Sequence, residues 1–445
     1  MTASSSPTTA EPVDAASAPT AATNAATTAT SAPTTVTSAH TTVTSADTAA
    51  ASSVGPARSR LAFGLALAFV VAMMVGASAP SPFYPVLQAE IGFSAGTMTT
   101  IFGVYALTLL ATLLVTGSLS DHIGRRPVLG AGFVILAVSM LGFWHADSVA
   151  MLLTSRAVQG VAAGLLMSTM SAAVVDLEPR TRPGLAATLN SVTPLAGLAA
   201  GALVAGAVLD ATPRALGVVF ATLTGAYVAL AATVLALPET SPRHDGWRRS
   251  LRPQVGIPAP ARTAFRRSAP ALFAGWATGG LYLSLGAPIV GQLLDGRTHL
   301  AQGSVVALLT GTGALSSYLG RHRTPRQITL YGTTMLALGT ALTLIALHAE
   351  SLPGFLLATV VAGSGFGTSF LGIMRSITPT VGPHQRGELF SSVFVVSYLA
   401  FGLPAVAAGF AAPHLGLQTT ATVYGTVVVV LSGAAALLRR FTTTD

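Results

Sequence analysis

The stretch Gly117-Ser-Leu-Ser-Asp121-His-Ile-Gly124-Arg125-Arg126-Pro127-Val-Leu129 is a short charged loop, punctuated by glycine, between two long apolar runs. One Asp followed closely by two Arg stands out in a chain that is 51% hydrophobic and only 9% charged. A soluble globular domain carries about 25% charged residues, so lipid is the main solvent of this chain. The runs flanking the loop are each about 20 residues long, which is the length that crosses a bilayer.

Moving outward from the loop, the same pattern repeats. A first run over 61–79 continues into Pro80-Ser-Pro82-Phe83-Tyr84-Pro85. Three prolines so close together remove backbone donors and bend or loosen that end of the helix. Such a break persists in a membrane where protein or a water-filled cavity satisfies the freed carbonyls. The alternative is a frayed helix end at the interface, with Tyr84 as an aromatic anchor. Further runs cover 97–116, 128–146, 150–175, 184–209 and 215–237. A hydrophilic stretch over 238–268 follows, with seven Arg, five Pro and Trp247. Six more runs cover 269–294, 301–320, 328–348, 352–375, 389–411 and 417–438.

This order predicts an all-α integral membrane protein with twelve transmembrane helices in two pseudo-symmetric six-helix bundles, 58–238 and 269–440. The Arg/Pro-rich linker 239–268 joins them, and 441–445 forms a short tail. Residues 1–57 are Thr, Ala, Ser and Pro with almost no large apolar side chain. They bury too little surface to offset their ordering entropy and predict a disordered tail. They also lack the basic start, apolar middle and cleavage site of a secretory signal.

All 23 basic residues are Arg. Nineteen fall at the chain ends and in alternate gaps, against Arg214 and Arg297 in the remaining gaps, with Arg156 and Arg375 inside runs. Positive residues stay on the cytoplasmic side, so both termini are expected there, in a plasma (inner) membrane. The Arg are dispersed between runs rather than gathered in one patch, which argues against nucleic acid as a partner. With no cysteine, the chain has no disulfide, thiolate nucleophile or Cys-based metal site.

The halves echo one another. Leu177-Glu-Pro179-Arg-Thr-Arg182-Pro-Gly-Leu185 pairs with Val381-Gly-Pro383-His-Gln-Arg386-Gly-Glu-Leu389, offset by 204 residues at Pro, Arg and Leu. A second echo pairs Gly197-Leu-Ala with Gly402-Leu-Pro404. Duplicated halves of this kind frame a central substrate site.

The opening loop resembles the one between helices two and three of the major facilitator superfamily, written G-x-L-[SA]-D-x-x-G-R-[RK]-x-x-[LI]. The matches are Gly117, Leu119, Asp121, Gly124, Arg125, Arg126 and Leu129. The resemblance implies alternating access, with two six-helix halves rocking about a midplane cavity. It also implies that Asp121 braces the halves in the outward-open form, by pairing with an Arg or capping a facing helix. Gly117 is expected to let a neighbouring backbone approach closely, and Gly124 to permit the tight turn. Arg125 and Arg126 also serve to hold the loop inside, beside anionic lipid. The equivalent loop of the second half, Leu319-Gly320-Arg321-His322-Arg323-Thr-Pro325-Arg326, has no acidic residue, so any such latch is one-sided.

Arg156-Ala-Val-Gln159-Gly160 resembles the R-x-x-Q-G motif found in many proton-driven members, which makes Arg156, Gln159 and Gly160 the coupling candidates. An Arg within a span is a functional hypothesis by default; its plainer reading is a side chain snorkelling to the interface. Gly160 and Gly164 form a small face for close helix packing. Gly197-Leu-Ala-Ala-Gly201-Ala202 resembles the glycine-rich fifth-helix motif of antiporters, but Ala202 stands where that motif has proline.

No carboxylate falls in the middle of a run. Asp176 and Glu178 are expected to cap the inner end of the fourth helix near Arg180 and Arg182. Glu90 and Asp210 read as solvated acids, and Arg375 as a residue reaching the inner headgroups. The polar and aromatic residues placed to line a cavity are Tyr105, Asn190, Trp276, Tyr282 and Tyr398. They suit a cargo that is lipophilic or weakly cationic.

The chain carries no phosphate-binding loop, no paired His/Glu metal motif and no placed Ser-His-Asp set, so it reads as no enzyme and needs no cofactor. The expectation is a monomeric secondary transporter in the lipid bilayer, with the proton gradient as its energy source. It exports a small lipophilic compound. Uptake of a sugar or metabolite is the alternative, and a transporter-fold sensor the next.

Overall fold

The computed structural model describes residues 56–441 except 242, 254, 296, 297, 383 and 384. The predicted tail over 1–57 lies outside the described residues apart from its last two positions. Every element of regular structure among the described residues is helical. The twelve long helices are α1 (Pro56–Ser78), α2 (Ala95–Thr116), α3 (Arg125–Trp144), α4 (Val149–Asp176), α5 (Leu185–Ala211) and α6 (Ala215–Thr233), then α7 (Arg262–Leu293), α8 (His299–Leu319), α9 (Pro325–His348), α10 (Leu352–Ile377), α11 (Arg386–Leu415) and α12 (Leu417–Phe441).

Ten of the helical stretches are long and apolar enough to cross a membrane; α7 and α8 are long enough but less apolar. The physical reason is their position. α7 buries Thr278, Tyr282, Ser284 and four glycines among its neighbours, and α8 buries Gln302, Thr310 and Ser317. A helix turned into the protein does not need the hydropathy of one turned to lipid. α7 also starts earlier than the run at 269, because Arg262, Arg266 and Arg267 continue the helix in a stretch too polar for hydropathy to register.

The packing repeats between the halves. α1 packs on α5, α2 on α4, and α3 on α4 and α6; correspondingly, α7 packs on α11, α8 on α10, and α9 on α10 and α12. The halves meet along two seams, α2 with α11 and α5 with α8, which the same repeat exchanges. Small residues make the close seams possible. A Cβ on Gly164 would sit 2.7 Å from the Leu109 carbonyl of α2, so only glycine admits that α2–α4 approach.

Candidate functional site

A cavity of about 1,600 Å³ lies between the halves. Its lining runs from mid-helix to the end that carries the arginine-rich loops. On α5 it spans residues 184–198, on α7 271–283 and on α11 387–401, and on α8 it takes only Ser317. The other end is packed shut. There Ser81 Oγ donates to the Leu283 carbonyl at 2.7 Å, joining the halves. The Asp210 carboxylate on α5 accepts the His299 and Leu300 backbone N–H groups at 2.9 and 2.8 Å, and His299 Nδ1 lies 2.9 Å away. Asp210 thus caps the first turn of α8 across the seam, which is more than the solvated acid expected of it.

The cavity walls differ in chemistry. The second half supplies rings: Trp276 lies 5.1 Å from Tyr398, 5.8 Å from Phe370 and 5.9 Å from Phe401. The first half supplies Met73, Met74, Met167 and Met170 beside the rings of Phe102 and Tyr105. Two contacts join the walls, Phe102 with Phe401 at 4.8 Å between ring centres and Tyr398 OH with Met167 Sδ at 3.3 Å. Thioethers are polarizable and adaptable, and they pair favourably with aromatic faces.

The Gly117–Leu129 loop stands at the mouth, and Gly117 and Asp121 line the cavity there. Gly124 sits at φ +112°, a conformation that favours glycine, and starts α3. Arg125 is buried and holds three partners: it pairs with Asp121, lies 3.3 Å from Asp176 Oδ2 at the end of α4, and donates to Ser120 Oγ at 2.6 Å. Glu239, just beyond α6, accepts the backbone N–H groups of Arg125 and Arg126 at 2.8 and 3.2 Å. Burial works to raise the Glu239 carboxyl, but these N–H donors and Arg243 outweigh it and hold the group below its ordinary value of 4.5. The backbone N–H of His244 donates to the Asp121 carbonyl at 3.0 Å, which ties the linker to the loop.

Arg156 is 1% exposed, so it does not snorkel. Pro80 has no N–H, which frees the Gly76 carbonyl of α1; Gln159 Nε2 fills that place at 2.7 Å. Arg156 binds Gln159 Oε1 at 2.5 Å, the Ala77 carbonyl at 3.5 Å and Tyr84 OH, with the Tyr84, Tyr105 and Phe143 rings each 5.3 Å away. The broken end of α1 is therefore satisfied by α4 rather than frayed. Ala77 and Tyr105, which Arg156 touches, line the cavity, so the guanidinium sits directly behind its wall.

Residues 61–405 match the family model for the Major Facilitator Superfamily. The chain belongs to that superfamily. Its members are transporters and not enzymes, and this chain is accordingly a multi-pass membrane protein. Among curated relatives, the multidrug efflux pump LfrA of Mycolicibacterium smegmatis is 37% identical over 130 residues, 28% of this chain and 25% of LfrA. The uncharacterized MFS-type transporter Rv1250 of Mycobacterium tuberculosis is 33% identical over 125 residues, 27% of this chain and 22% of the relative. The multidrug resistance protein MdtL of Citrobacter koseri is 30% identical over 110 residues, 24% of this chain and 28% of MdtL. Each match thus spans about a quarter of the relative.

With the superfamily established, the predicted residues divide cleanly. Tyr105, Asn190, Trp276 and Tyr398 line the cavity. Tyr282 does not: its hydroxyl lies 3.0 Å from Thr343 Oγ1 and accepts from Thr359 Oγ1 at 3.4 Å, inside the second half. It is a span residue whose polar tip found partners on α9 and α10. Among the described residues, Asp121 pairs with none of the second half; its ion-pair partner is Arg125, four residues along. The contact nearest a side chain at Gly117 is the Leu113 carbonyl of its own helix at 2.8 Å, rather than a neighbouring helix. Gly160 does face a neighbour, 2.6 Å from the Tyr105 carbonyl of α2 by the same measure. Asp176 pairs with Arg125 instead of Arg180 or Arg182, and Glu178 caps α5 by accepting the Ala186 N–H at 2.7 Å. Arg375 lines the cavity mouth and donates to the Arg321 carbonyl at 3.0 Å, so it is not a headgroup residue. The methionine wall and the clamp by Glu239 were missed. Both arise from helices and loops that meet only in three dimensions.

Proposed function

We propose that this protein exports a small lipophilic compound from the cytoplasm by alternating access, in exchange for protons. The observation that carries the reading is the cavity of about 1,600 Å³, walled by Trp276, Tyr398, Phe370 and Phe401 of the second half and by four Met with Phe102 and Tyr105 of the first. Pockets for drug-sized ligands run to about 300–1,000 Å³, so there is room for a range of cargoes. Sugar uptake is disfavoured by the same lining, in which Asn190 is the one carboxamide among the described residues. The names of LfrA and MdtL, a multidrug efflux pump and a multidrug resistance protein, point the same way.

The positive-inside rule puts the arginine-rich end and both termini in the cytoplasm, in the plasma (inner) membrane. The open cavity then faces the cytoplasm, and the Ser81–Leu283 and Asp210–α8 contacts form the closed outer gate. Moving to the outward-open form closes the mouth and brings the Gly117–Leu129 loop toward the second half, where Asp121 gains its bracing role. Arg156, Gln159 and Gly160 join the broken α1 to α2 and α4 behind the cavity wall, so they are placed to pass a change of charge into helix movement. The proposed energy source is the proton gradient, with no resident cofactor.

The test uses the purified full chain in liposomes loaded with a lipophilic fluorescent dye. An imposed pH gradient should drive dye movement, with protons moving in the opposite direction. Dye counterflow that ignores the gradient overturns coupling, and dye binding without flux from any direction overturns export in favour of a sensor.

A further inference from the structure

We infer that the cargo is a planar aromatic acid, whose ring lies against Trp276 and whose carboxylate is held by Arg375 and Ser317. This deepens the export reading and rests on the same cavity.

The charges around the cavity are unequally satisfied. Its lining holds Asp121, Asp176, Arg252, Arg321 and Arg375. Both carboxylates sit on the first-half side and are already engaged by Arg125. They are poor counter-ions for a cationic cargo. On the second-half side, Arg321 lies 4.0 Å from the Tyr318 ring centre and donates to the Tyr318 carbonyl at 2.8 Å, so it is turned to its own helix. Arg375 is half-buried, and its one hydrogen bond among the described residues is to the Arg321 carbonyl. No carboxylate pairs with it among those residues. A guanidinium in this position retains several N–H donors in a fork that matches a carboxylate.

A second observation points to the same corner. Ser317 on α8 is 1% exposed, lines the cavity, and its hydroxyl has no hydrogen-bond partner. It lies four residues before Arg321, whose carbonyl Arg375 binds, which is about one helical turn or 5–6 Å along the axis. A buried hydroxyl without a partner costs stability unless a ligand uses it. An acid held by Arg375 would accept from it.

The spacing gives the rest of the ligand. Phe370 touches Trp276, and Arg375 is five residues further along α10 toward the mouth. Five helical residues rise about 7.5 Å, a gap that a fused aromatic ring bearing a carboxylate covers. The ring packs on Trp276 and Tyr398, opposite Met167 and Met73, where the lining holds no ionised side chain. A lipid headgroup also offers an anion, but only an aromatic acid uses both the arginine and the ring wall.

The test measures binding of naphthoate, naphthylmethanol and naphthylmethylammonium to the full chain in neutral lipid nanodiscs. Naphthoate should bind about tenfold more tightly than either analogue, as expected of one charge-assisted hydrogen-bonded pair. Arg375→Gln should remove that preference and leave naphthylmethanol within about twofold of wild type, while Arg375→Lys restores part of it and Ser317→Ala weakens naphthoate alone. Adding phosphatidylglycerol to the nanodisc should leave naphthoate binding unchanged; displacement by this lipid overturns the aromatic-acid assignment. Equal binding of all three probes, tighter binding of the ammonium, no binding of any, or a preference that survives Arg375→Gln also overturns it. Failure of export is separate: absent dye flux with the carboxylate preference intact sinks the exporter alone, and flux without that preference sinks only the acid.

Discussion

The loops joining the second and third helices of each half occupy equivalent places and are built from opposite charges. In the first half, Asp121 and Asp176 hold the buried Arg125, and Glu239 holds the backbone that starts α3. In the second half, Thr324 and Gln327 start α9 by a reciprocal capping box, and among the described residues no carboxylate pairs with Arg321, Arg323 or Arg326. Both loops make a tight turn into a helix, one through ion pairs and the other through caps. Duplication has preserved the backbone path, whereas the charge pattern has diverged, and the divergence leaves Arg375 without a counter-ion at the mouth. The first helices of the halves differ in the same spirit. α1 stops after Ser78 and restarts at Ser81, while α7 runs unbroken for 32 residues past Pro270 and Pro288. Among the described residues, only the broken helix has a buried Arg behind it.

The largest expected effect comes from erasing that second difference. Arg156→Ala leaves Gln159, Tyr84 and the Ala77 carbonyl short of partners in a buried place. It should cost about 3 kcal/mol or more, read as a drop in thermal stability in detergent, and reduce coupled flux at least as severely. Unchanged stability would mean that α1 holds its break without α4. Next comes the loop. Asp121→Asn removes one charge from the Arg125 cluster without altering size, so insertion should be normal and transport should fall roughly tenfold. Wild-type flux would remove the bracing role and leave the two loops functionally alike. Glu239→Gln should have a smaller effect, roughly fivefold on flux. It also carries a pH signature. Because the folded Glu239 is held below 4.5, its stabilising share is complete above that value and is lost as pH falls through the lowered folded value. Melting curves of wild type should therefore fall away on acidification below about pH 4.5, and those of Glu239→Gln should fall less steeply.

The sequence made the architecture legible because each membrane helix writes its own apolar run, and the loop motif is contiguous. Arg156 was legible for the same reason, since Arg and Gln three residues apart share one face of one helix. What the run pattern hid was any residue whose role depends on a partner far along the chain. Tyr282 and Tyr398 are both tyrosines in apolar spans, and only packing sends one to Thr343 and the other to the cavity. Glu239 follows the last run of the first half as an ordinary linker acid, 114 residues from the backbone N–H it binds. α7 and α8 fell below the hydropathy of their neighbours because helices that turn polar groups inward write a weaker signal.

The two seams between the halves offer the finest comparison and the smallest effect. They are exchanged by the internal repeat and both close through glycine, Gly96 admitting the Phe410 ring between α2 and α11 and Gly206 and Gly303 admitting the facing backbone between α5 and α8, and the α5–α8 seam adds the Asp210 carboxylate. If Asp210 acts chiefly as a cap on α8, Asp210→Asn should keep most of the seam, because Asn caps helices about as well, and Asp210→Ala should loosen it by about threefold. The chain lacks cysteine, so a single Ser81→Cys at the shut end reports opening through its rate of thiol labelling. Labelling should rise about threefold with Asp210→Ala and little with Asp210→Asn. An equal rise in both would mean that the charge opposite His299 holds the gate, and the seam would then respond to pH on that side. No rise in either would leave the glycine contacts to hold the halves closed, and the two seams would be equivalent after all.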